Sequence, residues 1–213
     1  MLIADFSLYL ITDRHQTAGR PQLDVVRQAL DGGVKAVQLR EKDLSGAALF
    51  RLAAEMRRLT SDYGARLIIN DRPDMALAVG ADGVHIGISS MPVAAARRIL
   101  GDDKIIGYSA HAIDEAERAQ ADGADFVTFG PVYATPSKMA FGSPCGVTKL
   151  ATAASTLNIP VIGLGGISQA NITEVLSANS AGIAVISAIL AAADPNVATT
   201  TLLKKIEEYV QHT

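Results

Sequence analysis

Short apolar runs alternate with longer amphipathic stretches from one end of the chain to the other. The apolar runs cover Ser7–Thr12, Lys35–Arg40, Arg66–Asn70, Gly83–Gly87, Lys104–Ser109, Asp125–Gly130, Pro160–Gly165 and Gly182–Ser187. Each is short and bounded by turn residues, which is the signature of a buried strand. Between them apolar positions recur at helical spacing. The clearest case is Leu44–Tyr63, where Leu49, Leu52, Ala53, Met56 and Leu59 fall on one face. Further helices are predicted over Leu23–Leu30, Asp74–Val79, Val93–Leu100, Ile113–Ala121, Val147–Thr156, Gln169–Leu176 and Asn196–Val210, with Pro92 and Ser168 among the start signals.

Strands alternating with helices in this way imply βαβ units and a parallel sheet. Spread over 213 residues, eight units average about 27 residues each, which suits a compact, single-domain (β/α)8 TIM barrel over residues 1–213. An open, doubly wound α/β sheet is the alternative. An internal echo supports the barrel. The segments DGGVKAVQLR, AVGADGVHIG, ADGADFVTFG and ANSAGIAVIS place a Gly- or Asn-containing turn before every second strand. Such a residue ends a helix in the left-handed conformation and returns the chain to the sheet. One loop is long, from Gly130 to Gly146, and loops of that length are often functional.

Composition narrows the class. With 49% hydrophobic and 19% charged residues the chain is globular rather than disordered. A net charge of −3 and the absence of Trp argue against a nucleic-acid binder. The lone cysteine, Cys145, excludes an internal disulfide. No basic leader and no long apolar run are present, so a soluble cytoplasmic protein is expected, without nucleic-acid or membrane partners.

In a barrel the chemistry sits at the carboxyl ends of the strands. Strand 2 ends Gln38-Leu39-Arg40-Glu41-Lys42. By alternation Val37 and Leu39 face the helices while Gln38 and Arg40 face the interior. A buried guanidinium needs an anionic ligand or a carboxylate such as Glu41, and Lys42 adds a second cation. Asp71, after strand 3, is either a magnesium ligand or the N-cap of the next helix. Gly107, Ser109 and His111 share one parity on strand 5, whereas His85 reads as a hydrogen-bonded core residue. Thr135-Pro136-Ser137-Lys138 forms a candidate oxyanion clamp, with a plain solvated loop as the alternative. Gly165-Gly166 after strand 7, and Ile186-Ser187 after strand 8, stand where such barrels bind phosphate through backbone N–H groups. These features point to a phosphorylated small molecule and Mg²⁺, and leave the reaction open.

On these residues the chain resembles the thiamine phosphate synthase family, which also contains thiazole tautomerases. The resemblance runs from LYLITD at Leu8 to VISAI ending at Ile189, through QLREKD, IINDRPDMALAVGADGVHIG, the Ser109-x-His111 pair, GPVYATPSK and GLGGI. It implies a (β/α)8 barrel, a homodimer, and the joining of hydroxymethylpyrimidine diphosphate to thiazole phosphate with release of diphosphate. The diphosphate leaves first and the thiazole nitrogen captures the resulting cation. The implied substrate contacts are Gln38, Leu39, Arg40, Glu41, Lys42, Asn70 and Ser109 for the pyrimidine diphosphate. Thr135, Pro136, Ser137, Lys138, Gly166, Ile186 and Ser187 complete the set, with Lys138 on the departing diphosphate and the others at the thiazole phosphate. Arg40, Lys42, Lys138, Ser109 and His111 are the implied catalytic set, and Asp71 and, as a weaker neutral ligand, Ser90 are the implied magnesium positions.

The chain departs from the family at one point. Synthases usually carry a second metal-binding Asp after strand 4, and Ser90 holds that position here. The departure keeps two alternatives in view: a thiazole tautomerase working through His111, and a ligand-binding paralogue without activity. Retention of Gln38, Arg40, Lys42 and Asp71 favours the synthase, because a tautomerase needs no diphosphate clamp.

Overall fold

A computed structural model describes residues 6–135 and 143–212. Eight parallel strands close into a barrel in sequence order. They are β1 (Leu8–Ile11), β2 (Ala36–Leu39), β3 (Arg66–Asn70), β4 (Gly83–Gly87), β5 (Ile105–Ala110), β6 (Phe126–Phe129), β7 (Val161–Leu164) and β8 (Gly182–Val185). β8 pairs back onto β1, with Tyr9 opposite Ala184. The barrel expectation holds and the open sheet is excluded.

Around the strands stand α1 (Gln22–Asp31), α2 (Gly46–Asp62), α3 (Pro73–Ala78), α4 (Val93–Leu100), α5 (Ile113–Ala121), α6 (Gly146–Thr156), α7 (Ile172–Leu176), α8 (Ser187–Leu190) and α9 (Pro195–Gln211). Local chemistry starts several of them. Ser45 accepts from the Ala48 N–H at the start of α2, and Asp194 accepts from Val197 N–H ahead of Pro195 in α9. Two boundaries differ from expectation. The run Gly182–Ser187 stops being strand at Val185, and Ser187 opens the short helix α8. The helix expected over Gln169–Leu176 begins only at Ile172, because Ser168 and Asn171 cap each other's turn: Asn171 Oδ1 accepts from Ser168 N–H at 2.8 Å, and Ser168 Oγ from Ala170 N–H at 3.3 Å.

Alternation along the strands divides the core in two. Tyr9, Ile11, Ala36, Ile68, Ile105, Phe126, Ile162 and Ala184 fill the barrel interior. Leu10, Val37, Leu39, Leu67, Ile69 and Val127 face outward and meet the helices. The turn echo has the backbone form expected of it. Gly33, Gly80, Gly123 and Asn179 all have positive φ, at 102°, 65°, 100° and 57°.

The echo extends to a clamp at the amino end of the barrel. Arg57 on α2 pairs with Asp82, whose carboxylate also accepts from Leu67 N–H at 2.7 Å. Arg97 on α4 pairs with Asp125, whose carboxylate accepts from Ile106 N–H at 2.7 Å. Each clamp ties one helix to two neighbouring strands on the face opposite the strand carboxyl ends.

Candidate active site

Polar interior side chains from β1, β2, β4, β5 and β6 are bonded to one another. Gln38 Nε2 donates to the Tyr9 hydroxyl at 3.0 Å, and that hydroxyl lies 3.5 Å from His85 Nδ1. On the other side of the ring, His85 Nε2 is 2.9 Å from Ser109 Oγ and 3.3 Å from Thr128 Oγ1. Ser109 and Thr128 are themselves 3.3 Å apart. Gln38, His85, Thr128 and Tyr9 are buried, and buried polar groups persist where they are paired in this way. Burial pushes the Tyr9 phenol far above its ordinary range, with the Gln38 bond opposing, so its proton stays in place. Burial, together with the nearby Arg40 charge, pushes His85 down to about 3. His85 is therefore a neutral imidazole. Gly107 makes this packing possible, because a side chain there would strike His85 Nδ1 and the Phe126 ring.

Above this layer stand cations without an ion-pair partner among the described residues. Arg40 follows β2 and is half-buried, and its guanidinium forms no hydrogen bond or ion pair among the described residues. The Glu41 pairing considered for it does not occur. Glu41 is buried and its carboxylate accepts instead from Thr12 Oγ1 (2.8 Å), Arg14 N–H (3.2 Å), Arg14 Nη1 (3.2 Å) and Gln22. Thr12 Oγ1 in turn accepts from the Arg40 N–H at 2.9 Å. Glu41 thus braces the strand end, and its side chain has no capacity left for substrate. Asp43 is also taken, by Arg14 and His15, and the Arg14 hydrogen bonds hold it well below the usual carboxylate range. Lys42, between these two carboxylates in sequence, is exposed and has no ion pair among the described residues. Leu39, expected among the substrate contacts, turns its side chain away from the strand mouth. Its side chain is 1% exposed and belongs to the helix-side core, so it can offer only backbone.

Asn70 ends β3 and faces inward. Asp71 does not cap α3, whose N-cap is Arg72. It sits at φ 61°, a left-handed conformation tolerated by Asp, and its N–H donates to the His85 carbonyl at 2.9 Å. Strain of this kind at a strand end marks functional positions more often than chance. The Asp71 carboxylate is exposed and forms no hydrogen bond or ion pair among the described residues. Ser90 Oγ accepts from the Gly87 N–H at 2.9 Å, closing a turn after β4. No group of three or more His, Cys, Asp or Glu suited to a metal occurs among the described residues. One open carboxylate fits a magnesium ion that takes its remaining ligands from water and phosphate, and does not fit an all-protein cage.

His111 lies one residue beyond β5, and its Nδ1–H donates to the Gly130 carbonyl. Gly165 and Gly166 have φ of 104° and 67°. The reason for two glycines differs in part from the one expected. A Cβ on Gly165 would come within 2.7 Å of Pro131, and one on Gly166 within 2.7 Å of Tyr133 Cβ, so one face of the pair is packed against the loop after β6. That loop is held by Val132 N–H to Leu164 O (2.9 Å) and Tyr133 N–H to Gly165 O (3.0 Å). Gly166 stays exposed, and Ile186 and Ser187 form the N-terminus of α8 beside it in the barrel order. Thr135 is half-buried and bonded. Pro136, Ser137 and Lys138 lie outside the described residues.

Tyr9 and Thr128 are site residues that the sequence reading passed over. The signal was present, since both carry hydroxyls at inward-facing strand parity.

Comparison with known proteins agrees with this geometry. A sequence model of the thiamine monophosphate synthase family matches residues 8–189. A putative thiamine-phosphate synthase of Geobacter sulfurreducens is 58% identical over 95% of this chain and 95% of its own length. A thiamine-phosphate synthase of Moorella thermoacetica is 45% identical over 92% of this chain and 94% of its own. The solved structure of a thiamine phosphate pyrophosphorylase from Pyrococcus furiosus superposes with a TM-score of 0.89 at 38% identity, covering 96% of this chain and 97% of that one.

Proposed function

The chain belongs to the thiamine monophosphate synthase family, and on that premise we propose that it is a transferase joining a 4-aminopyrimidine methyl diphosphate to thiazole phosphate. The bond from the pyrimidine methylene carbon to the diphosphate oxygen breaks, and its electron pair leaves with the diphosphate. The thiazole nitrogen lone pair then forms the new C–N bond. The products are thiamine phosphate and diphosphate.

The observation that carries this reading is the pair of cations, Arg40 and Lys42, left without carboxylate partners among the described residues because Arg14 takes both Glu41 and Asp43. Fixed positive charge aimed at a leaving diphosphate stabilises the charge that develops as the bond breaks, without solvent reorganisation. No nucleophile and no general base is needed for that step. Lys138 belongs to the same clamp, and Asn70 orients the diphosphate. Ser109 and Gln38 hold the pyrimidine. Gly166, Ile186 and Ser187, with Thr135 and Ser137, seat the thiazole phosphate on backbone N–H groups and hydroxyls. Asp71 would hold Mg²⁺, which supplies further positive charge to the diphosphate oxygens. The protein works as a single domain and as a cytoplasmic homodimer. No described helix is long and apolar enough to cross a membrane.

The test is direct. Purified protein is mixed with the pyrimidine diphosphate, thiazole phosphate and Mg²⁺, and thiamine phosphate is measured. Product formation that requires both substrates is expected. Absence of product, under conditions where a known synthase turns over, overturns the reading.

A further inference from the structure

The polar chain through the barrel interior has a direction. Gln38 Nε2 donates to the Tyr9 hydroxyl at 3.0 Å. The phenol therefore accepts from one side and has its own hydrogen to give on the other. His85 Nδ1, 3.5 Å away, is the acceptor in reach. If Nδ1 accepts, the one proton of a neutral imidazole is on Nε2. Nε2–H then donates to Ser109 Oγ at 2.9 Å, with Thr128 Oγ1 at 3.3 Å as a second acceptor. Ser109, having accepted, keeps an O–H to donate. At the far end Gln38 spends one of its two Nε2 hydrogens on Tyr9, which turns Oε1 away from the phenol, and Oε1 accepts from no described residue.

We propose that His85 is a positioning residue that, through Tyr9 on one side and Ser109 on the other, presents a fixed acceptor at Gln38 and a fixed donor at Ser109 to the aminopyrimidine. The ring nitrogen accepts from Ser109, and the exocyclic amine donates to Gln38 Oε1. A chain running the other way presents a donor to the amine and an acceptor to the ring nitrogen, and so repels the same edge. Gly107 belongs to the device, because any side chain there displaces His85. The identity of the ligand rests on the synthase reading, whereas the direction of the chain does not.

Two measurements test it. Nitrogen-15 NMR of the His85 imidazole in the ligand-free protein is expected to show the Nε2–H tautomer. An Nδ1–H tautomer overturns the proposal, whatever the enzyme's activity. The second measurement is kinetic. Tyr9→Phe keeps the ring but removes the hydrogen that holds Nδ1 as an acceptor. The KM for the pyrimidine diphosphate is expected to rise about tenfold, the worth of one hydrogen bond, while the KM for thiazole phosphate stays put. His85→Gln, which retains an N–H for Ser109, is expected to recover most of what His85→Leu loses. Equal rises in both KM values, or equal losses in Gln and Leu variants, overturn the proposal. Should His85→Leu not fold, the Tyr9→Phe split and the tautomer decide it. Failure of wild-type turnover speaks only against the synthase reading.

Discussion

His111, just past β5, donates through Nδ1–H to the carbonyl of Gly130, just past β6. The bond links two neighbouring strand ends at the point where the long loop departs. It also turns Nδ1–H toward Gly130 and leaves Nε2 as the nitrogen without a bond among the described residues. In a synthase this bond is a tie that shapes the mouth, because loss of diphosphate needs no proton transfer. His111→Ala is expected to lower kcat by less than about tenfold, the range of one hydrogen bond. A loss of a thousandfold or more assigns His111 to proton transfer, where general acid–base catalysis contributes on that scale. Steady-state kinetics on the variant, with folding checked by thermal melting, separates the two.

Arg40 has no protein partner for its charge among the described residues, and it is only half exposed. Holding a charge in that state costs stability that only an anionic ligand returns. Arg40→Met is therefore expected to leave the ligand-free Tm unchanged or higher while reducing kcat/KM at least about a hundredfold. Added diphosphate with Mg²⁺ should raise the Tm of the wild type and not that of the variant. A variant that melts several degrees lower and still responds to diphosphate would falsify the assignment.

His85 gives the protein an acid-sensitive stability. Its folded value of about 3 lies below the ordinary 6.5, so between those values the unfolded chain binds a proton that the folded one does not. Stability thus falls as pH drops from about 6.5 toward 3 and levels off below. The contribution present above 6.5 is on the order of 5 kcal/mol. His85→Gln removes the titrating group and should flatten this limb of the urea-midpoint curve between about pH 7 and pH 4. An unchanged slope places the acid sensitivity elsewhere.

The barrel was legible because it is written in local pattern. Alternation alone sent Gln38 inward and Leu39 outward. The helix stops at Gly33, Gly80, Gly123 and Asn179 follow from the need for positive φ before the chain re-enters the sheet. What was not legible is non-local. Glu41 is 27 residues from Arg14 and Tyr9 is 76 from His85, and no periodicity reveals such pairs. The end of β8 was missed for a different reason. Ser187-Ala188-Ile189-Leu190 is apolar in either conformation, and the break comes from Ile186 at ψ −87°. The aspartates Asp82 and Asp125 stand in two of the echoed segments, but the echo was read only for its turn residues, and their pairing with Arg57 and Arg97 is non-local.

Those aspartates carry stability and no chemistry. Asp82 and Asp125 each satisfy a strand N–H and an arginine that is largely shielded from solvent. Removing either leaves the strand N–H unpaired and leaves the arginine charge with only neutral acceptors: Ser61 Oγ and the Ala65 carbonyl for Arg57, and the Gly101, Lys104 and Gly123 carbonyls for Arg97. Asp82→Ala and Asp125→Ala should each cost about 2–4 kcal/mol, read from urea denaturation, with KM values in the remaining folded enzyme unchanged. Because the clamps share no residue, the double variant should lose the sum. A changed KM in either variant would mean that the amino end of the barrel communicates with the opposite face.

The proposed magnesium site gives Ser90 a role that can be measured. Its hydroxyl accepts from the Gly87 N–H at 2.9 Å, a bond that a carboxylate can make with one oxygen while offering the other to a metal. Ser90→Asp should therefore keep the turn, add a second carboxylate beside Asp71 at the neighbouring strand end, and lower the Mg²⁺ concentration for half-maximal activity by about tenfold. Asp71→Asn should move it the opposite way by a similar factor, because it removes the one open carboxylate at that rim among the described residues. Magnesium titrations of the two variants, run as thermal shifts with diphosphate and as turnover, give the answer in parallel. If Ser90→Asp leaves the magnesium requirement where it was, the turn after β4 lies out of the metal's reach, and the ion is held by Asp71, water and substrate alone.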